Sequence, residues 1–455
     1  MIQIPLSRIA LVTGGQLVGE DITISSVSTD SRKFEENALF IALRGERFDG
    51  HDFLSGAIEH GAKAALVEKN AHISSVLPHV VVEDTKRAMG LLSSWVHNQC
   101  QTPTVAITGS CGKTTVKEMV ASILSCKGNV LFTAGNFNND IGVPLTLFRS
   151  KPSDDYAIIE LGANHIGEIA YTTALVKPNI ALVNNVAAAH LEGFGSIDGV
   201  KKAKGEIYQG LRTGQTAIVN LDSNGGEFWQ DVLKDKKVKT FSIHSPKATI
   251  HAANISLNEL AQASFDVVAG DKRLHVQLNI AGEHNVGNAL AAILITKEMG
   301  ATDEDICWGL SHLASVKGRV DVESLNDHIR LIDDSYNASV PAMKAAVDLL
   351  SRFSAKRWLV LGNMAELGKE SLELHRQVGK HASPFNFDHV LTYGDDARAI
   401  SEECHGKHFS THHDMITYIE QQLLKEQDQQ HTLLIKGANS SGMSKVVAAL
   451  REKYS

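Results

Sequence analysis

The sequence predicts an α/β protein of three domains, and three observations carry that prediction. Short apolar runs of strand length alternate with helical stretches through most of the chain. A glycine-rich turn, "TGSCGKTT", joins one such run to a helix. Late runs end directly in glycine, as "WLVLG", "HVLTYG" and "LLIKG" do. At 455 residues the chain is also long for a single core.

Residues 1–100 read as the first domain. "ALFIAL" and "KAALVE" look like strands, and a helix is expected from about Arg87 to Asn98. The polar stretch "NQCQTPT" reads as a linker. Residues 101–314 read as a central domain whose parallel sheet is built from "TVAIT", "NVLFT", "YAIIEL", "IALVNN" and "TAIVNL". Between Lys237 and Ile280 the pattern turns β-rich with period two, as in "RLHVQLNI", and predicts a strand insertion. The helix "NVGNALAAILITKEMG" closes this part, with Gly300 as its stop signal. Residues 315–455 read as a Rossmann-like domain whose last helix starts near Gly442. Ligands of such sheets favour the loops beyond the strands' carboxyl ends.

Composition excludes several classes. The chain is 43% hydrophobic and 21% charged, an ordinary profile for a soluble protein. A net charge of −8 leaves no basic footprint, so no nucleic-acid partner is expected. No apolar run approaches bilayer length, so no membrane insertion is expected. The start, "MIQIPLSRIALVTGGQLVG", lacks a basic segment followed by a long apolar core, and a cytoplasmic location is expected. Cys100, Cys111, Cys126, Cys307 and Cys404 form no CxxC and read as reduced thiols.

The glycine-rich turn carries the chemistry. The full phosphate-loop pattern, GxxxxGK[ST], needs glycine at position 107, where Ile107 stands. The parts that touch phosphate are nevertheless present. Gly109 and Gly112 let backbone N–H groups approach phosphate oxygens, Lys113 brings a cation, and Thr114 offers a hydroxyl to Mg²⁺. The following helix points its positive end the same way. Cys111 reads as a small residue in a variable slot rather than a redox switch. Glu160 ends the run "YAIIEL" and His190 follows "IALVNN", so sheet-end O and N donors are expected to hold a divalent cation. Lys204, in "KKAKGEIYQG", reads by itself as part of a solvated helix face.

Further motifs run in order along nearly the whole chain: "STDSRK", "RGERFDGHDF", "NFNNDIGVPLTL", "ELGANHIGEI", "NNVAAAHLEGFGS", "AKGEIY", "GEHNVGNALAA", "KGRVDV", "DSYNAS", "LGNMAELG" and "IKGANSSGM". With the shortened loop GxxGKT, which accounts for Ile107, this set closely resembles the Mur ligases, ATP-dependent amide-forming enzymes of bacterial peptidoglycan precursor synthesis. "NNDIGVP", "GANHIGEI" and "DSYNAS" are similar to the branch that adds D-alanyl-D-alanine to UDP-N-acetylmuramoyl-tripeptide.

The resemblance implies residue roles. Gly109, Ser110, Cys111, Gly112, Lys113, Thr114 and Thr115 would hold the phosphates of ATP. Thr114 and Glu160 would bind one Mg²⁺, and His190 would help to hold a second. Lys204 matches a position that relatives convert to a metal-ligating carbamate, so Lys113, His190 and Lys204 are the expected catalytic groups. Asn285 and Asn288 would approach adenine, and Arg319, Asp334, Tyr336 and Asn337 would reach the nucleotide from the third domain. Ser31, Arg47 and His51 would lie at the UDP end, Asn138 and Asn139 along the muramoyl-peptide channel, and Lys436 and Ser440 beside substrate. Asn363 stands where relatives often carry Asp. A monomer is expected, its third domain closing over the central one. Alternatives stay open at this level: a folylpolyglutamate synthase or the diaminopimelate-adding sister, a regulatory P-loop ATPase, or a small-molecule kinase. The ATPase reading leaves "STDSRK" and "FDGHDF" without a task.

Overall fold

The computed structural model describes residues 1–45, 47–69, 77–188, 191–314 and 317–455. The chain forms two compact units. One comprises Met1–Ala106, Gly128–Ala163 and Glu168–Asn179, the other Ile107–Lys127, Asn164–Gly167 and Ile180–Ser455.

The first unit carries a five-stranded sheet in the order Gln16–Val18, His79–Val82, Ala64–Glu68, Ala38–Ile41, Ser26–Ser28. Its pairs are parallel except at the Gln16–Val18 edge. Successive side chains leave a strand on opposite faces. Leu39 and Ile41 therefore join a core with Met89, Leu92 and Val96, while Phe40 and Ala42 pack with Leu54 and Ala57. Both faces are covered, as a parallel sheet requires.

The expected helix runs further than its pattern suggested, from Thr85 to Cys100, with the Asp84 carboxylate accepting from the Arg87 N–H at 2.9 Å. The linker expected after it is reduced to Gln101–Pro103, since a strand begins at Thr104. Buried His97 explains the tight join: one ring nitrogen lies 2.9 Å from Thr104 Oγ1 and the other 2.8 Å from Ser150 Oγ. The same unit holds the parallel pair Val130–Phe132 and Tyr156–Glu160, so Glu160 ends its strand as expected.

In the second unit, strands run in the order Lys272–Ala281, Gln262–Ala269, Ile250–Leu257, Lys237–Ser242, Thr216–Asn220, Ile180–Val183. The expected insertion is the antiparallel ribbon of Ile250–Leu257, Gln262–Ala269 and Lys272–Ala281, which extends the parallel strands beside it. The C-terminal end of the strand Thr104–Thr108 comes alongside through Asn184 N–H to Thr108 O at 2.8 Å. The helix Asn285–Glu298 is buried nearly all round.

A second sheet of this unit has the order Asp321–Ser324, Ile329–Asp334, His431–Lys436, Lys356–Gly362, His389–Tyr393, Lys407–Phe409. All its pairs but the first are parallel. The register sets Asp334 against Lys436, and Lys436 against Leu361. Asp334 and Lys436 thus share the carboxyl edge, where ligands of such sheets gather. Among the described residues no helix is long and apolar enough to cross a membrane.

Candidate active site

Ile107 is fully buried within the strand Thr104–Thr108. The position that lacks glycine therefore belongs to the strand, and the turn begins only at Gly109. Gly112 has φ +75°, and a Cβ there would lie 2.5 Å from Asn288 Oδ1 and 2.6 Å from Asn184 Nδ2. Only glycine fits such a turn. The helix Lys113–Leu124 follows at once, and its intrahelical bonding starts with Val116 N–H to Gly112 O at 2.9 Å. The first turn of a helix presents N–H groups without intrahelical acceptors, an arrangement that suits an anion. Lys113 folds back over the turn, its Nζ 2.9 Å from Gly109 O.

This turn opens into a cleft of about 560 Å³ within the second unit. Ser110, Cys111, Gly112, Lys113, Thr114 and Thr115 form one side, with Asn285 and Asn288 beside them. Asp334 and Lys436 contribute from strand ends of the second sheet, and Arg319 and Asn337 from the segments beside those strands. The structure thus brings together most of the expected ATP-binding residues, from segments far apart in sequence. Two expected members stand back. Gly109 lies against Asn184, where a Cβ would come within 3.0 Å. Tyr336 contributes through Arg319, whose guanidinium carbon stacks 4.4 Å from its ring centroid.

Lys436, 3% exposed, donates to Asp334 Oδ2 at 2.7 Å and to Asn337 O at 2.8 Å. Burial pushes the Cys111 thiol above its usual range, outweighing the opposite pull of Lys113, Lys436 and Arg319. Cys111 is therefore a thiol rather than a reactive thiolate, as a space-filling residue should be.

The adenine assignments for Asn285 and Asn288 acquire a structural task as well. Asn288 donates to Asn285 Oδ1 at 2.8 Å and accepts from Asn184 Nδ2 at 2.9 Å, and Asn184 Nδ2 also reaches Cys111 O at 3.1 Å. In the sequence Asn184 stands out only as part of the motif "NNVAAAHLEGFGS". An asparagine pair directly after the apolar run "IALV" was the available signal.

Elsewhere the expected residues fall less uniformly. Lys204 is 1% exposed, so the solvated-face reading fails. Its Nζ sits 5.3 Å from the Phe194 ring centroid, and Lys204 is not among the cleft-lining residues. Its helix, Ile197–Gly205, is pressed against Trp229, whose Nε1 a Cβ on Gly205 would meet at 2.2 Å. In the first unit, Asn138 Nδ2 donates to Glu160 Oε1 at 2.8 Å, and Glu160 is 2% exposed. Asn139 accepts from Gly142 N–H at 2.8 Å and so closes a turn.

Ser31 is half-buried and Arg47 exposed. His51 uses both ring nitrogens internally, one 2.5 Å from Asp49 Oδ1 and the other accepting from Glu68 N–H at 2.9 Å. Ser440 is exposed in the turn Asn439–Ser441. Asn363 acts as an acceptor for Ala397 N–H at 2.8 Å, a role Asp would fill equally, so the exchange alters local charge but not this contact. His190 lies outside the described residues.

Oxygen donors from Thr114 and the buried Glu160 are the type a hard divalent cation takes. No group of three or more His, Cys, Asp or Glu side chains suited to a metal occurs among the described residues.

A glycine turn at a helix N-terminus, faced by Lys113, Arg319 and a sheet-end Asp334–Lys436 pair, defines a nucleotide-dependent phosphoryl-transfer enzyme. Comparison with known proteins narrows the class. Residues 107–296 match the Mur ligase middle domain, residues 318–439 the Mur ligase glutamate ligase domain, and residues 23–97 the Mur ligase family catalytic domain. The UDP-N-acetylmuramoyl-tripeptide--D-alanyl-D-alanine ligase of Escherichia coli is 47% identical over 453 residues, covering 99% of both chains. MurF from Acinetobacter baumannii superposes with a TM-score of 0.93 at 34% identity, over 100% of both chains. MurF ligase from Thermotoga maritima, solved in complex with ADP, gives 0.84 at 25% identity, over 94% of this chain and 97% of that one. The chain belongs to the Mur ligase family. It is an ATP-dependent ligase that forms amide bonds.

Proposed function

We propose that the protein adds D-alanyl-D-alanine to UDP-N-acetylmuramoyl-tripeptide, releasing ADP and phosphate, in cytoplasmic peptidoglycan precursor synthesis. The observation that carries the reading is the cleft joining the glycine turn to Arg319, Asp334 and Lys436. Its support from relatives is the near-complete coverage of the Escherichia coli ligase.

Joining a carboxylate to an amine in water needs a better leaving group than oxide. Transfer of the γ-phosphoryl of ATP to the tripeptide's terminal carboxylate supplies one, as an acyl phosphate. The dipeptide's amine then attacks the acyl carbon, a tetrahedral intermediate forms, and phosphate leaves. Lys113, the Gly112 N–H and the N–H groups of the following helix's first turn offset the gathering negative charge. Mg²⁺ when bound would screen the same oxygens; by family resemblance Thr114 and Glu160 would hold one ion, His190 would help to hold a second, and a carboxylated Lys204 would be a further ligand. Residues 315–455, with Arg319 and Asp334, exclude water from the acyl phosphate. Residues 1–100 serve the UDP-sugar, 101–314 the ATP and 315–455 the incoming dipeptide, in a monomer.

The test is product analysis by mass spectrometry with ATP, Mg²⁺, UDP-N-acetylmuramoyl-tripeptide and a panel of amines. The expected product is the pentapeptide, with phosphate release dependent on D-alanyl-D-alanine. Phosphate release that ignores the sugar peptide, or preference for diaminopimelate or glutamate, overturns the proposal.

A further inference from the structure

We propose that Asn185 is a positioning residue of the phosphate turn, holding Cys111 by both backbone groups so that the turn is set for phosphate before nucleotide arrives. The Cys111 N–H donates to Asn185 Oδ1 at 2.9 Å, and Asn185 Nδ2 donates to Cys111 O at 3.0 Å. One carboxamide thus exchanges two hydrogen bonds with a single residue, as a facing residue does in an antiparallel ladder. The preceding N–H, of Ser110, donates to Asn185 O at 3.0 Å. Ser110 Oγ continues the grip, donating to Ala187 O at 3.2 Å and accepting from Ala187 N–H at 2.9 Å. Both residues between the two glycines are therefore held from the segment 185–187.

The chemistry selects asparagine. A carboxylate at this position could accept from Cys111 N–H but has no donor for Cys111 O, and alanine has neither. Glutamine carries the same amide one methylene farther from the backbone. The shortened turn makes such a hold useful. With Ile107 committed to the strand, only Gly109–Gly112 separate Thr108 from Lys113. Ser110 and Cys111 direct their N–H groups to Asn185, so the phosphate cradle falls to Gly112 and the first turn of the helix. An unheld turn would have to be ordered by the nucleotide itself, which weakens binding. Cys111 also supplies a native reporter, since its Sγ lies 3.3 Å from Asn185 Oδ1.

The inference rests on the nucleotide-binding reading of the turn, and the experiment separates the two. ADP binding with Mg²⁺ is measured by calorimetry on the full chain and on Asn185→Ala and Asn185→Asp, together with thermal unfolding without nucleotide. Alkylation of Cys111 is followed by the mass of its peptide. The expected result is ADP affinity lowered about tenfold or more in both variants, at near-native unfolding temperature, with faster Cys111 alkylation in Asn185→Ala, where no new charge faces the thiol. In turnover, the KM for ATP should rise while the KM for the amine stays put. If Asn185→Ala fails to fold, the isosteric Asn185→Asp decides. Unchanged ADP affinity in a folded variant, or unchanged Cys111 reactivity in folded Asn185→Ala, overturns the positioning role. A parent protein that does not bind ADP overturns the nucleotide reading instead.

Discussion

Lys436 and Asp334 end neighbouring parallel strands, and their side chains meet at 2.7 Å with almost no solvent access. The pair stands on the cleft wall facing the glycine turn. Removing one partner strands the other charge in a low-dielectric site, a change that destabilises by about 3–5 kcal/mol. Lys436→Met should therefore lower the unfolding free energy by roughly that amount in urea titrations and abolish ligase turnover. Asp334→Asn keeps the shape but leaves the ammonium with a neutral partner, and should follow in the same direction. A Lys436→Met protein as stable as the parent would show that the pair is dispensable to the fold.

Lys113 closes over Gly109 O, where an outer phosphate would otherwise draw its ammonium. Lys113→Ala should reduce kcat by about 10²–10³-fold, the loss of a single preorganised donor. Rapid-quench measurement of acyl-phosphate formation should show the same factor. Near-parental turnover would mean that the turn does not carry the chemistry.

What was legible in the sequence follows from how local each signal is. Gly109, Gly112, Lys113 and Thr114 sit within one turn, so their spacing alone announces a phosphate site. The strand Ile180–Val183 is a fully buried apolar run, as is the centre of His431–Lys436 at residues 433–435, and both are readable without any partner. Asn184 and Asn185 were not readable in this way, because their role depends on Cys111, more than seventy positions away. The polar stretch after the first domain misled for the same reason. His97 lies within the expected helix with no local mark of its task, but its ring joins Ser150 to Thr104 in the interior. Lys204 carried no local mark of burial; only the resemblance singled it out, and Trp229 and Phe194 supply the enclosure.

That enclosure yields a test. Lys204→Ala should lose ligase activity, with partial rescue by acetate if a carbamate is the working form. Gly205→Ala should disturb the same residue indirectly. Its new methyl group would overlap the indole of Trp229, which also donates from Nε1 to Lys201 O at 2.9 Å. Overpacking of this kind destabilises by about 1–3 kcal/mol. Thermal unfolding and bicarbonate-dependent activity should both fall in Gly205→Ala, and replacing Trp229 with leucine in that background should restore part of the stability. Unchanged unfolding in Gly205→Ala would show that the helix shifts freely and that Trp229 does not fix Lys204.

The buried His97 gives the fold a defined acid sensitivity. Desolvation holds its pKa down to about 4, against 6.5 for an open imidazole. The folded state therefore keeps this ring neutral while the unfolded chain protonates it below 6.5. Stability from this group is complete above that value and is lost as pH falls from 6.5 through about 4. The full loss is about 3 kcal/mol. Replacing His97 with glutamine retains a donor and an acceptor without a titrating group. Urea unfolding of parent and His97→Gln at pH 7.5 and pH ~4 should therefore show a smaller acid penalty in the variant. Equal acid penalties in both would place the sensitivity on other groups and leave His97 as a packing residue at the join between the helix Thr85–Cys100 and the strand Thr104–Thr108.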